Sequence, residues 1–398
     1  MRRIYLDHNA TTPVHPEVVE AMTPYFLEKY GNSLSIHWFG QQASAALESA
    51  RETVAKFLGA GDPDEIVFTS GGTESDNHAI RGVAEAMAKY GNHIVTTLIE
   101  HHAVLNPCKQ LEQQGFKVTY LGVDKGGLAD PEQVRSAITK KTILVTIMCG
   151  NNEIGVIEPV GEIGRVIANV NKKRIAAGAQ PVFFHTDAVQ CAGKIPIDVK
   201  QLGVDLLSLS AHKFYGPKGV GALYVKKGTK ITPLIYGGHH EKSRRAGTVN
   251  VAGIVGLAKA CEIASAKARS EPARLAGLRN ALWEGIKQKI PYVRRNGDEN
   301  KCVPNTLNVS FEFVEGESLL LNLDLEGIAA STGSACTSGT IEPSHVLSAI
   351  GVDPITAQGS IRFSFGKDNT MEDVDYTLEV LLRIVEKLRS MSPLYAKK

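Results

Sequence analysis

The sequence predicts an α/β fold, with a large body built on a mainly parallel sheet flanked by helices and a smaller α+β unit beside it. Three observations carry the prediction. From residue 65 to residue 210, strand-like apolar runs alternate with helical patterns, the order a parallel sheet requires because each crossover uses a helix. Several runs end in glycine-rich or polar stretches, at the strand ends where open sheets gather ligands. Near residue 249 the texture changes to long helical patterns and then to shorter strands mixed with helices. A chain of 398 residues is long enough for two such units and a well-buried core.

Taken in order, Arg3-Ile-Tyr-Leu opens a strand-like segment that is expected to join the smaller unit. Residues 16–29 and 43–58 carry helical patterns, the second with Leu47, Ala50, Val54, Phe57 and Leu58 on one face and Gly59 as its stop. Glu65-Ile-Val-Phe-Thr69 reads as a strand, Ser70-Gly-Gly-Thr-Glu-Ser75 as a turn, and 77–89 as a helix. The alternation continues through strand 93–99, helix 103–114, strand 117–121, helix 131–138 and strand 142–149. After Asn151-Asn-Glu-Ile-Gly155 come a helix near 160–177 and buried strands ending at Asp187 and Ser210. Beyond 249 the pattern predicts helices at 249–267, 273–289, 317–325 and 371–390, with strands at 306–311, 328–331 and 360–365.

Composition narrows the function. Lys plus Arg at 44 against Asp plus Glu at 42 leaves no basic excess, and no basic run interleaves with aromatics, so nucleic acid and anionic membrane are poor partners. No apolar stretch approaches the roughly 18 residues of a membrane span, and the strand at residue 3 leaves no room for a leader, so a cytoplasmic protein is expected. Six widely spaced cysteines without a CxxC pair read as free thiols in such a chain. The pairs His101-His102 and His239-His240 lack metal-ligand spacing.

Three stretches carry chemistry. Ser210-Ala-His-Lys-Phe-Tyr-Gly-Pro-Lys-Gly219 places Lys213 on a turn at a strand end, between His212 and an aromatic. An amine drawn partly out of water loses its proton more readily and becomes a nucleophile suited to imine chemistry; the bland alternative is a solvated surface charge. Asp187 lies 26 positions earlier, room for one crossover and one more strand, so both would face one crevice. A carboxylate near such an amine suits pyridoxal phosphate, whose aldehyde the lysine would hold and whose pyridine nitrogen the aspartate would keep protonated; helix capping by Asp187 is the alternative. Ser70-Gly-Gly-Thr73 offers backbone N–H groups and hydroxyls to a phosphate, though glycine turns before helices are common. In Ser331-Thr-Gly-Ser-Ala-Cys-Thr-Ser-Gly-Thr340, small polar residues surround Cys336 and predict an accessible thiol, whereas Cys149 and Cys261 fall in apolar patterns and read as core.

SAHKFYGPKG, HTDAVQ (185–190), TSGGTES (69–75), IEHHAVL (99–105), NNEIG (151–155), TGSACTSG (332–339) and YLDHNATTPV (5–14) together resemble the cysteine desulfurases of the nitrogen-fixation and iron–sulfur-cluster type. The resemblance spans nearly the whole chain. It implies the pyridoxal-phosphate-dependent transferase fold of type I in its class V aminotransferase form, usually as a homodimer. It also implies a large cofactor-binding domain over 15–257 and a small domain made of 1–14 and 258–398, the latter carrying the Cys336 loop. Lys213 would bind the cofactor covalently, Asp187 would pair with the ring nitrogen, Gln190 would bond the phenolic oxygen, and His101 would stack on the ring. Gly72, Thr73, Ser210 and His212 would hold the phosphate, with Thr248 reaching in from the other subunit. Asn152 and Arg362 would grip the substrate carboxylate, a task suited to a planar guanidinium.

The activity so implied converts L-cysteine to L-alanine and leaves the sulfur on Cys336 as a persulfide, for an acceptor or iron–sulfur scaffold protein. The sequence departs from the family in three places. Gly31-Asn-Ser-Leu-Ser-Ile-His37 lacks the family's proline, residues 171–181 are lengthened in a manner similar to selenocysteine lyases, and the stretch after Met391 is short. A selenocysteine lyase, a true aminotransferase and a non-catalytic interaction subunit are the competing readings.

Overall fold

The computed structural model describes residues 2–332, 344–393 and 395; Cys336 and its neighbours lie outside the described residues. Seven strands form the main sheet: β2 (Ile66–Thr69), β3 (His93–Thr97), β4 (Lys117–Leu121), β5 (Thr142–Thr146), β6 (Phe183–Asp187), β7 (Leu206–Ser210) and β8 (Gly221–Val225). Their order is β2-β8-β7-β6-β5-β3-β4, all running the same way except β8, which is antiparallel to both neighbours. The chain leaves β3 toward β4 on one side and returns to β5, β6 and β7 on the other. That reversal is the switch point where such sheets open a crevice.

Strand periodicity sorts the core onto two faces. Ile66, Phe68, Val145, Phe184, Leu207 and Leu209 point into one apolar cluster, and Val67, Leu144, Phe183 and Leu206 into the other. A third core belongs to the C-terminal part. There β9 (Val293–Asn296), β10 (Thr306–Phe311) and β12 (Ser360–Ser364) form an antiparallel sheet in the order β12-β10-β9. Its Leu307, Val309, Phe311, Ile361 and Phe363 pack with helices Glu271–Lys289, Gly316–Leu325 and Met371–Ser390. The N-terminal strand β1 (Ile4–Tyr5) pairs with β11 (Ile328–Ala329), and Ile4 and Leu6 join this core. Helix Val251–Lys267 packs Ile254, Leu257, Ala258, Ala260 and Cys261 into the first cluster, so a division at 257/258 falls inside that helix.

The mainly parallel sheet with flanking helices is the predicted fold class. Differences from the sequence pattern have local causes. The helix over 16–29 is two short ones, Pro16–Met22 and Pro24–Leu27, because Pro24 lacks the N–H that would continue the first. The helix placed at 43–58 starts earlier, at Trp38, where the His37 ring nitrogen accepts from Gly40 N, and it ends at left-handed Gly59. The helix placed at 77–89 begins at Gly72, which brings its first turn up to the glycine turn. Strand β8 was not foreseen, since its glycine-rich approach reads as part of the lysine turn.

Candidate active site

The functional residues singled out from the sequence collect at one end of the sheet. Ser70–Thr73 follow β2, His101 follows β3, Asn152 follows β5, Asp187 ends β6 with Gln190 just beyond it, and Ser210 ends β7 with His212 and Lys213 in the turn after it. All five strands share one direction, so these residues meet at their carboxyl ends.

Lys213 is half-buried, and its Nζ donates to the main-chain oxygens of Asn9 (2.7 Å) and Ala10 (2.8 Å). Asp187 closes β6 with only 6% of its surface exposed, and its Oδ1 accepts from Val189 N at 2.9 Å. Burial pushes the Asp187 carboxyl upward, while the Val189 N–H and the Lys213 charge oppose that rise. Behind it stands Asp76 in helix Gly72–Met87, raised much further by burial and then by the Asp187 charge, so of the two Asp76 is the acid that keeps its proton. Asp76 Oδ1 lies 3.6 Å from His185 Nε2, which also meets Ser208 Oγ at 3.0 Å. His185 is held neutral by burial, its pKa lowered to about 3.

The glycine turn leads into helix Gly72–Met87, whose N-cap Gly71 makes no side-chain cap bond, so the first-turn N–H groups face outward. A cavity of about 380 Å³ opens there, lined by Ser70 to Glu74, Ser210, His212, Lys218, Gly219 and Thr11. Close approach explains two of the nearby glycines, by a side chain at Gly72 and by backbone at Gly221. A Cβ on Gly72 would come within 2.6 Å of Val189 Cγ2, and one on Gly221 would lie 2.7 Å from Gly71 Cα. His212 Nδ1 meets Thr11 Oγ1 at 3.1 Å, and burial with the Lys213 and Lys218 charges lowers its pKa to about 4. His101 caps the next helix by accepting from Ala103 N at 3.0 Å. Burial, then the charge of Lys213, holds its ring neutral with a pKa near 4.

Arg362 on β12 enters from the smaller sheet. Its Nη1 donates to Asn152 O (2.9 Å) and its Nη2 pairs with Asp7 Oδ1 (2.8 Å), while Nε is buried with no hydrogen-bond partner among the described residues. Arg362 and Asn152 therefore do come together. Thr248 does not join this group within one chain; it is exposed and does not line the cavity. The sequence reading passed over Asp7, Asn9, Thr11, Asp76, Lys194 and Lys218. A signal existed for some of them: Asn9 and Thr11 lie in YLDHNATTPV, Asp76 directly follows TSGGTES, and Lys194 lies four residues past Gln190.

Pyridoxal phosphate fits these residues. Uncapped N–H groups with Thr73, Ser210 and His212 suit a phosphate dianion, a strand-end lysine suits an aldehyde, and a buried carboxylate backed by a protonated one suits a ring nitrogen that must hold a proton. Fold and site thus define the class: an α/β enzyme of the type I pyridoxal-phosphate fold.

The aminotransferase class-V model matches residues 4–377, and the chain belongs to that family. It is 55% identical over 392 residues to a protein of Dictyoglomus turgidum named cysteine desulfurase IscS, covering 98% of this chain and 97% of the relative. A protein of the same name from Methanosarcina thermophila is 54% identical, with 100% and 95% covered. Among solved structures, a NifS-like protein superposes with a TM-score of 0.90 at 43% identity, over 97% of this chain and all of the other. A structure titled SspA in complex with cysteine gives 0.79 at 38% identity, over 91% and 98% of the two chains.

Proposed function

We propose that the protein is a cysteine desulfurase, converting L-cysteine to L-alanine and passing the sulfur through Cys336 toward iron–sulfur cluster or related cofactor synthesis. The observation that carries this reading is the convergence of Lys213, Asp187 and Arg362, from three separate strands, on one crevice of a chain whose relatives at 50–55% identity are named cysteine desulfurases. Bound pyridoxal phosphate would supply an aldehyde for an amine and a ring that accepts the electron pair released when a bond at Cα breaks.

The chain's own groups have the following work. Lys213 would hold the cofactor, and its amine would move the Cα proton of the substrate. Asp187, kept anionic beside protonated Asp76, would pair with the ring nitrogen. Neutral His101 would stack on the ring, and Gln190 would bond the phenolic oxygen. Gly72, Thr73, Ser210 and His212, which line the cavity, would hold the phosphate. Arg362 uses its uncommitted Nε, with Asn152, to orient the carboxylate of L-cysteine. The Cys336 thiolate attacks the substrate sulfur, the carbon–sulfur electron pair stays with Cβ, which takes a proton, and alanine leaves.

A homodimer would complete the phosphate site through Thr248 of the partner. An apolar surface supports the pairing: Phe26, Leu27, Tyr30, Leu34, Ile36 and Trp38 are each more than half exposed, an unusual concentration for a monomer. We also place the protein in the cytoplasm, where the five described cysteines, all free and buried, stay reduced.

The lengthened 171–181 segment suggested a selenocysteine lyase, but it precedes Phe183 at the amino end of β6. Five strand residues, roughly 17 Å, separate it from the crevice at the carboxyl end, so it has no direct means of choosing the substrate. Mass spectrometry after brief exposure to L-cysteine tests the proposal. One added sulfur on Cys336 with alanine release is expected. Negligible turnover of cysteine beside rapid turnover of selenocysteine would refute it, and full activity in Cys336→Ala would favour a true aminotransferase.

A further inference from the structure

Lys194 lies in the turn after β6, four residues past Gln190, with 8% of its surface exposed. Its Nζ donates to Gln190 Oε1 at 2.7 Å and to Asn9 Oδ1 at 2.9 Å. Among the described residues no carboxylate pairs with it, and a buried ammonium without a counter-ion is costly enough to be uncommon. Both acceptors lead on to Lys213. Asn9 O accepts from Lys213 Nζ at 2.7 Å and from Gln190 Nε2 at 3.0 Å, so the two lysines are joined through one asparagine and one glutamine.

Donor inventory fixes the direction of this chain of bonds. A lysine ammonium has no acceptor, so the end of the Gln190 amide that meets Lys194 must be its oxygen. The NH2 end is thereby turned toward Asn9 O, one N–H bonded there and the other left for the crevice. The Asn9 amide is fixed in the same way. Its Oδ1 takes Lys194 and Asn305 Nδ2 (3.1 Å), and its Nδ2 gives to Thr306 Oγ1 (2.8 Å) and Asn152 O (3.2 Å).

We propose that Lys194 is a positioning residue for Lys213: it sets which face the Gln190 amide presents and places a second cation that competes with Lys213 for a proton. The inference rests on Lys213 being the lysine that carries the cofactor. Burial, and next the Lys213 charge, lower the Lys194 pKa to about 7. The other groups facing the pair come from several elements. Asp187 on β6 attracts Lys213, Arg362 on β12 opposes the Lys194 ammonium, and the Cys191 thiol in the turn, pushed well up by its bond with Cys149 and by burial, stays protonated and adds no charge near pH 7. His8, His101 and His212 are held neutral by burial, so they add no charge near pH 7. Two ammonium groups in this setting disfavour each other, and the neutral amine is the form that reacts with an aldehyde.

The test is a pH titration of the visible cofactor band of purified full-length holoenzyme for wild type, K194M and K194R, with thermal melts alongside. Removing the cation is expected to raise the midpoint in K194M by about one pH unit, a tenfold change in proton affinity, whereas K194R stays near wild type. An unmoved midpoint in K194M that melts like wild type and holds its cofactor overturns the proposal. If K194M does not hold cofactor, the decision passes to competitive acetylation of cofactor-stripped full-length wild type, read by mass spectrometry. Half-labelling of Lys213 about one unit or more below exposed Lys227 supports the inference, and equal midpoints overturn it. Failure of the underlying reading looks different, because wild type would then show no band that borohydride removes.

Discussion

Arg362 offers the sharpest test of the substrate site because its three nitrogens have different partners. Nη2 is committed to Asp7 and Nη1 to Asn152 O, which leaves Nε as the buried donor without one. A substrate carboxylate can take Nε directly, and it gains a second bond only by sharing or displacing Asp7 from Nη2. Charge-assisted hydrogen bonds contribute about 1.5–3 kcal/mol each, so losing two of them in Arg362→Ala costs about 3–4 kcal/mol after allowing for the substrate's other contacts. At 1.4 kcal/mol per decade, that raises KM for L-cysteine by about two to three orders of magnitude. Asp7→Asn separates binding from folding. It removes the ion pair, lowers Tm by a few degrees, and relaxes the hold on Nη2, so KM should stay level or fall. Steady-state alanine release and thermal melts measure both effects. If Asp7→Asn raises KM as much as Arg362→Ala, the guanidinium serves the domain contact and the assigned substrate role is wrong.

Lys213→Ala should lose the borohydride-reducible link to the cofactor and yet melt close to wild type, because the side chain bonds two carbonyls rather than filling a core; global unfolding would contradict this. Glu158 is buried, its Oε1 has no hydrogen-bond partner among the described residues, and burial lifts its pKa to about 8. The folded state therefore binds that proton more tightly than the unfolded chain, and the resulting stability is present below about pH 4.5 and lost as pH rises through 8. Glu158→Gln should flatten this loss, with a Tm above wild type at pH 8.5 and a gain on the order of 2 kcal/mol; equal melting curves at both ends of the range would refute it. The double variant Ile36→Glu, Trp38→Glu should shift the species seen by light scattering from dimer to monomer, and an unchanged mass would remove those side chains from the interface.

What could be read in the sequence follows from how local each signal is. Lys213, Asp187, His101 and the 70–73 turn each follow a strand within a few residues, so strand periodicity and turn composition locate them one by one. That they meet depends on strand order, which alternation constrains through the parallel rule. Lys194 escaped notice because a lysine after Ala-Gly reads as a solvated charge; only its approach to Asn9, far away in the chain, reveals that it is buried. Asp7 is similar, an acidic residue near the start whose partner Arg362 is set by how β12 meets the N-terminal segment. Strand β8 was lost for a different reason: it is short, buried throughout and introduced by glycines that a turn explains equally well.

The N-terminal stretch shows why those first residues carry so much of the recognisable pattern. Leu6 and Asp7 follow β12, with Ser364 N donating to Leu6 O (2.7 Å) and His8 N donating to Ser364 O (3.2 Å). Two residues later the same chain supplies both carbonyls that hold the Lys213 amine. It then continues to Thr12, whose N and Oγ1 both donate to His212 O at 2.9 Å and whose Oγ1 accepts from Tyr215 N at 2.7 Å. Tyr215 there adopts a φ of 69°, a left-handed conformation that a bulky residue keeps only when its surroundings impose it. The amine is thus positioned by a strap anchored in the smaller sheet, while the Asp187 and phosphate-cradle ends of the crevice belong to the larger one. A shift between the two sheets would therefore move Lys213's acceptors relative to Asp187, and Arg362 would travel with the strap through Asp7. The Arg362 guanidinium and the carbonyls that bond the Lys213 amine are in this way coupled mechanically through one strap, so on the proposed roles the Asp7 ion pair would tie substrate binding to the placement of the amine.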